Sequence, residues 1–443
     1  VGIWAYPMNP EAEPVRRLVY HDSSLSFEGV ATNQNGDVVA VTPDKPALLY
    51  FSALQPRPSP TFISVDNAMK PEAVKLSDAG HAYIYDDATQ QVRDVQLGSV
   101  KRAAPRNVHP EHREYSVKPN AETTPVNRFG DAADDPAIWV NQTQPQRSLI
   151  LGTDKKFGLN VYSLSGKRVQ TLPVGRVNNV DIRYGVNWQG QIIDIAAASN
   201  RSNNHISVFA ISPESGDVSH IGDIPTTLTD VYGLCMYQYD GTTEVFINST
   251  DGQFQRYRLV MHNENVQGEL IESFTVPSQP EGCVADDARQ QLFFGEEATG
   301  IWHRDLKAPG KNSTLIARIG GDVEADIEGM ALFEVNSLLY LIASSQGNNR
   351  YAVYQASAPW GLVGTFSIVA DYDNGLDGAT ETDGLDITNA SLGSRYPKGM
   401  MVVQDGHNIL PSDKQNFKLV DGSAIESVIT EMQAENQAQL KSE

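Results

Sequence analysis

GLNVYSLSGK (residues 158–167) runs from an apolar and aromatic segment into a Ser-Gly turn, the pattern of a strand that ends at a hairpin. Four counterparts follow it: NHISVFAISPESG (204–216), GQFQRYRLV (252–260), GIWHRDLKAPG (300–310) and RYAVYQASAPWG (350–361). Their aromatic anchors Tyr162, Phe209, Tyr257, Trp302 and Tyr354 stand 47, 48, 45 and 52 residues apart. That period holds one four-stranded sheet, so the repeat predicts a β-propeller rather than an irregular sandwich. A further unit at 399–420 makes six blades, and AIWVN (137–141) is placed to be the early strand that completes the last one. Sustained helical periodicity is scarce, in agreement with an all-β chain.

Before residue 131 the chain partly copies itself. VGIWAYPMNPEAEPVRRLVYHDSSLSFEGVA echoes TGIWHRDLKAPGKNSTLIARIGGDVEADIEGMA, aligning Gly2-Ile3-Trp4 with Gly300-Ile301-Trp302 and Phe27-Glu28-Gly29 with Ile327-Glu328-Gly329. Residues 1–115 thus read as about two blades of another propeller plus a linker, the polar and Pro-containing 101–120. The six-bladed domain is expected over 116–425, and 426–443 as a helix or tail of helix-forming composition.

Thirty-four Lys and Arg against 55 Asp and Glu give a net charge of -21. That balance argues against nucleic acid or anionic lipid as partner and makes cations the natural counterpart. No window approaches 18 consecutive apolar residues, so neither a membrane span nor a charged-then-apolar leader before Val1 is expected. Cys235 and Cys283 offer neither a disulfide framework nor a zinc cluster, and the reading favours two buried thiols over one disulfide.

The acids recur at blade starts. DAADDPAIW supplies Asp131, Asp134 and Asp135, NNVDIRYG Asp181, PEGCVADD Glu281, GEEATGIW Glu296 and Glu297, and ETDGLDI Asp383 and Asp386. DVEADIEGM (322–330) places Asp322, Glu324, Asp326 and Glu328 at alternate positions, which an extended strand would set on one face. Each neighbouring pair would repel by about 2.5 kcal/mol at an effective dielectric near 20, so a bound cation is expected. Oxygen ligands without clustered His or Cys point to Ca²⁺, which accepts six to eight oxygens in irregular geometry. Lys155, Lys156 and Arg201 stand at equivalent blade positions and could bind an anion beside the metals, Arg with a bidentate grip.

DAADDPAIW, NNVDIRYG, IAAASNRS, VYGLCMY, EGCVADD, DIEGMA, ASSQGNNRYAVY and ETDGLDI, in this order between 131 and 420, resemble the signature segments of the β-propeller phytases. The resemblance implies a six-bladed ring that hydrolyses phosphate monoesters of Ca²⁺-bound phytate. It makes Lys155 and Arg201 phosphate contacts, joined in substrate binding by Lys156 and Tyr232. It surrounds catalytic Ca²⁺ ions with Tyr232, Glu281, Glu297, Asp326 and Glu328, and adds Asp251 to that site. Asp134, Asp135, Asp181, Asp377, Asp383, Asp405 and Asn408 fall in segments resembling the family's structural Ca²⁺ sites or the cavity rim. One departure stands out: family members often carry a Lys-Glu pair before the glycine of the third-blade strand, where this chain has Thr250-Asp251.

Phytate carries roughly -9 to -12 near neutral pH, and bound Ca²⁺ would reconcile it with an acidic protein. In-line attack by a metal-activated water needs no protein nucleophile. Consistently, the chain has no RHGxRxP segment, and Asp371 and Asp373 in ADYDNG lack the Thr or Val of a DxDx[TV] motif. The rivals are a six-bladed Ca²⁺-dependent lactonase or esterase and a non-enzymatic Ca²⁺-binding propeller. The expected setting is a secreted or periplasmic monomer.

Overall fold

Tyr162, Phe209, Tyr257, Trp302 and Tyr354 each lie on the third strand of a separate antiparallel sheet. In the computed structural model of the protein, the register between third and fourth strands slips at each of them. The slips fall between Val161 and Tyr162, Val208 and Phe209, Arg256 and Tyr257, Ile301 and Trp302, and Val353 and Tyr354. A bulge bends its strand and adds local twist, so the recurring aromatic marks a recurring corner.

The structure describes residues 115–262, 265–308, 310 and 312–442, and before them 2–5, 17–22, 24–33, 36–45, 47–52, 60–65, 70–77 and 79–97. Two units divide the chain, Val1–Arg113 and Glu114–Glu443.

The second unit is a six-bladed β-propeller. Its innermost strands are Ala133–Trp139, Val177–Trp188, Val231–Tyr239, Pro280–Asp286, Ile327–Val335 and Leu385–Thr388. Each touches the next, and the last touches the first, which closes the ring. The apolar faces of adjoining sheets fill the space between blades, as where Ile195, Ala197 and Val208 meet Leu234, Met236 and Val245.

The closing strand differs from expectation. Ala121–Glu122 pairs with Leu419 and Lys418 and forms the outer edge of blade 6. Ala137, Ile138 and Trp139 lie instead in the innermost strand of blade 1, which is buried along its whole length. That apolar run suits a strand enclosed on both faces, whereas a blade's edge tolerates the partly exposed Glu122. Tyr115–Val117 pairs in parallel with Leu362–Ile368 as a fifth strand of blade 5, so the end of the expected linker belongs to the ring. Its remainder, 101–114, lies outside the described residues.

Cys235 and Cys283 form a disulfide with Cα atoms 5.6 Å apart, which corrects the expectation of two thiols. They stand one position out of step on the innermost strands of blades 3 and 4: Cys283 follows its bulge directly, as Leu234 does, and Cys235 comes one residue later. The helix Gly422–Ser442 sets Ile425, Val428, Ile429 and Met432 against Phe366, Val403 and Val420 of blades 5 and 6. Spacing of three and four residues puts those side chains on one helical face.

The first unit repeats the blade pattern. Gly29–Thr32, Asp37–Val41, Ala47–Ser52 and Thr61–Ser64 make a four-stranded sheet, and Pro71–Leu76, His81–Asp86 and Gln91–Gln96 a three-stranded one. Gly2–Ala5 and Arg17–His21 form a hairpin whose register slips between Ile3 and Trp4, matching the slip at Ile301 and Trp302.

Candidate active site

Five innermost strands begin with a second kind of slip, two residues wide. It encloses Asp134-Asp135, Asn178-Asn179, Tyr232-Gly233, Glu281-Gly282 and Glu328-Gly329. Asp383-Gly384 stands at the head of the sixth. The second residue is a glycine in four blades because each bulge rests on the next blade. A Cβ on Gly233 would strike the Glu281 carbonyl oxygen, one on Gly282 that of Glu328, and one on Gly384 the Asp135 side chain. The first residues, Asp134, Asn178, Tyr232, Glu281, Glu328 and Asp383, are all buried and form an inner tier.

The turns between second and third strands supply an outer tier of Lys155, Arg201, Thr250, Glu297, Gln346 and Gly406. Their backbone N–H groups donate to the carbonyls of Ala132 (2.7 Å), Arg176 (2.7 Å), Asp230 (3.2 Å), Gln279 (3.0 Å), Asp326 (3.0 Å) and Thr380 (2.7 Å). One backbone bond per blade thus ties each turn to the chain entering the innermost strand.

The acids meet on one side. Carboxylate oxygens of Glu281, Glu297 and Glu328 lie within 4.8 Å of one another, and all three residues are buried. Glu281 accepts from Asn178 Nδ2 at 2.7 Å and Glu297 from Gln279 Nε2 at 2.9 Å, while Glu328 Oε2 is buried with no hydrogen-bond partner. Burial and repulsion from Glu281 hold the Glu328 carboxyl well above the usual range, and burial raises Glu281 as well. Asp326, at the rim, is raised by desolvation.

Cations line the other side. Lys155 Nζ binds Asp131 (2.8 Å), Asp134 (3.1 Å) and Asp383 (3.0 Å). Burial works against its charge, but those carboxylates outweigh burial and hold the ammonium well above its ordinary pKa. Asp134 and Asp383 are pushed up to about 7, by burial first, with Lys155 opposing. Arg201 packs over Tyr232, its guanidinium carbon 4.9 Å from the ring centroid. It reaches Asn178 Oδ1 at 3.4 Å and Asp230 at 3.5 Å.

Several expected residues fall elsewhere. Asp251 is exposed and accepts from Gln253 at 3.3 and 2.9 Å, and the outer-tier position of blade 3 belongs to Thr250. Lys156 Nζ donates to Phe129 O at 3.1 Å, outside both tiers. Asp135 accepts from Val180 N at 2.9 Å and, with Asp181, lines a cavity of about 40 Å³ among the innermost strands. Asp181 also pairs with Arg183 at 3.0 Å and borders a second cavity of about 370 Å³ with Asp287 and Asp386. Asp377, Asp405 and Asn408 lie in blade 6, where the buried Lys418 ammonium binds Asp377, Asp405 (3.2 Å) and Glu122 (2.6 Å). Asn408 donates from Nδ2 to Lys414 O at 3.0 Å, and its Oδ1 is buried without a partner.

The row of acids in DVEADIEGM is not one strand. Asp322 lies in a turn bridged at Gly320 and Val323, residues 324–326 are irregular, and the strand starts at Ile327. Only Glu328 enters the inner tier, Asp326 stays at the rim, and Glu324 is exposed. Asn178 and Gln346 join the tiers without having been singled out by charge; Gln346 Nε2 donates to Asp383 Oδ1 at 2.8 Å. Their detectable mark is position, two residues into a blade start for Asn178 and after the second strand for Gln346.

A family model described as Phytase matches residues 90–441. The 3-phytase of Bacillus subtilis (strain 168) is 40% identical over 339 residues, covering 73% of this chain and 88% of that protein. The crystal structure of a functionally unknown protein from Desulfotomaculum acetoxidans DSM 771 aligns over 79% of this chain and 91% of its own, at 13% identity and TM-score 0.35, too distant to carry an argument. With that match running through every blade and through both tiers of the mouth, the chain belongs to the phytase family.

Proposed function

We propose that the protein is a Ca²⁺-dependent phytase that releases inorganic phosphate from phytate. The observation that carries this reading is the split mouth, with Lys155 and Arg201 on adjacent turns facing Glu281, Glu297 and Glu328. The family relationship and the 3-phytase relative support the substrate and the reaction class.

The acid side fits a hard cation. Three buried carboxylates, of which Glu328 is held high by burial and by its neighbours Glu281 and Glu297 and keeps an unpartnered oxygen, form a donor set of oxygen alone. Glu281, Glu297 and Glu328 would hold Ca²⁺, with Asp326 at the rim. When bound, Ca²⁺ supplies charge neutralisation, polarisation of the phosphoryl group and a lowered pKa for attacking water. Lys155 and Arg201 hold a phosphate of the substrate, and Tyr232 and Asn178 fix the guanidinium that grips it. Asp134 and Asp383 keep Lys155 protonated and aimed across the mouth. Orientation by a phosphate that is not cleaved spends remote binding energy on positioning.

The disulfide supports an oxidising compartment, secreted or periplasmic. No described helix is long and apolar enough to cross a membrane. Phosphate release from phytate, measured with Ca²⁺ in excess and again with chelator, tests the proposal. Release that needs Ca²⁺ is expected; no release with Ca²⁺ in excess overturns it.

A further inference from the structure

The six turn bonds define a matching position in every blade, the residue whose carbonyl accepts from the outer-tier N–H. It is Ala132, Arg176, Asp230, Gln279, Asp326 and Thr380 in blades 1 to 6. Only blades 3 and 5 place a carboxylate there, and both touch blade 4, which carries Glu281 and Glu297. Asp230 is thus the counterpart of Asp326 across blade 4, on the side next to blade 2 and its Arg201.

Thr250, the uncharged outer-tier residue of blade 3, aims this carboxylate. Its Oγ1 donates to Asp230 Oδ2 at 3.0 Å while its N–H donates to Asp230 O at 3.2 Å. The other oxygen, Oδ1, lies 3.5 Å from Arg201 Nη2, and half of the Asp230 side chain is exposed.

Arg201 makes no close ion pair. Charge-assisted hydrogen bonds close to about 2.7–2.9 Å, whereas Arg201 stands 3.5 Å from Asp230 and 3.4 Å from Asn178 Oδ1, and its Nε is buried without a partner. Its donors therefore stay open to an incoming oxyanion. Lys155 differs, being bound by three carboxylates at 2.8, 3.1 and 3.0 Å. Any oxyanion that Arg201 takes up has Asp230 as its neighbour. A bare anion is repelled by that carboxylate, while one carrying a divalent cation is not, because the cation is drawn to Asp230.

We propose that Asp230, aimed by Thr250, is a specificity-determining residue that makes the edge between blades 2 and 3 favour an oxyanion already paired with a divalent cation over a bare polyanion. That the oxyanion is a phosphate of phytate rests on the phytase reading; the charge preference does not.

The test compares the full-length protein with D230N, which keeps the shape and the Thr250 hydrogen bond, and with T250V, which removes that bond. Binding of myo-inositol hexakissulfate, a hexaanion that is not turned over as a phosphate, is measured by calorimetry in chelator and again with Ca²⁺ in excess, and phosphate release from phytate is followed alongside. In chelator D230N should bind about fivefold more tightly than the unaltered protein, the scale of one exposed charge pair. With Ca²⁺ in excess that gain should vanish, so the ratio of the two affinities falls about fivefold in D230N. T250V should move the ratio in the same direction by less. General damage to the mouth would lower both affinities together and leave the ratio unchanged. An unchanged ratio in D230N, or no binding by either protein in chelator, overturns the role of Asp230, and an unchanged ratio in T250V overturns its aiming by Thr250. If the unaltered protein releases no phosphate from phytate while the ratio still falls in D230N, the charge preference stands and the phytase reading falls.

Discussion

Glu328 is buried beside Glu281 and Glu297, and burial and their repulsion hold its carboxyl well above the usual range. Gln at this position keeps the shape and removes a charge, so E328Q should lose about two orders of magnitude or more in phosphate release. Its melting temperature in chelator should stay level or rise, because a repelling buried charge is gone. A variant that keeps full activity would remove Glu328 from the site. Asp134 and Asp383 give a pH signature, with folded values of about 7 against an ordinary 3.8. Between those values the folded chain binds more protons than the unfolded one, so metal-free stability falls as pH rises from about 4 to 7. Thermal melts in chelator from pH 5 to 8 should show that decline, with a shallower slope in D134N and in excess Ca²⁺. A melting temperature that rises over this window would contradict it.

Among the strands, the third of blades 1 to 5 was the most legible in sequence, because its aromatic coincides with a bulge at the same place in each of those blades. The Glu-Gly pairs were half legible. Glycine marks the stacking of one bulge on the next, and the first unit keeps the same device, since a Cβ on Gly29 would come within 3.1 Å of Glu72 O. Less legible was the two-residue closing strand, too short to show any alternation, while the apolar Ala137–Trp139 stretch fits an inner strand as readily as an edge. Asp251 was placed at the site by resemblance, whereas the backbone bond that defines the outer tier is made by Thr250. The disulfide was not legible from the repeat, because Cys235 and Cys283 stand one position out of step on neighbouring inner strands. Two variants probe this level. G282A forces a Cβ against the Glu328 carbonyl and should destabilise the chain by about 1–3 kcal/mol in urea unfolding. Replacing both Cys235 and Cys283 with Ala should cost about 2–4 kcal/mol, read in the same assay under non-reducing conditions.

Taken whole, the molecule keeps every tier residue within Glu114–Glu443. A chain lacking residues 1–113 should therefore still release phosphate in the presence of Ca²⁺, and complete loss from a folded remainder would assign the first unit a part in the chemistry. The net charge made cations the natural counterpart, but composition could not show that Glu281, Glu297 and Glu328 would sort to one side of the mouth and Lys155 and Arg201 to the other. That sorting is a property of ring order, which places blades 1 and 2 beside each other and Glu281, Glu297 and Glu328 on blades 4 and 5. The six turn contacts have a further use. Each is made by backbone N–H and C=O alone, so the location of an outer-tier side chain is independent of its identity. Leaving out Gly406, where a Cβ would come within 2.9 Å of Glu381, the other five outer-tier positions are addressable slots on a fixed frame. A combinatorial library confined to those codons should rewrite the ligand preference of the ring while leaving its folding instructions intact.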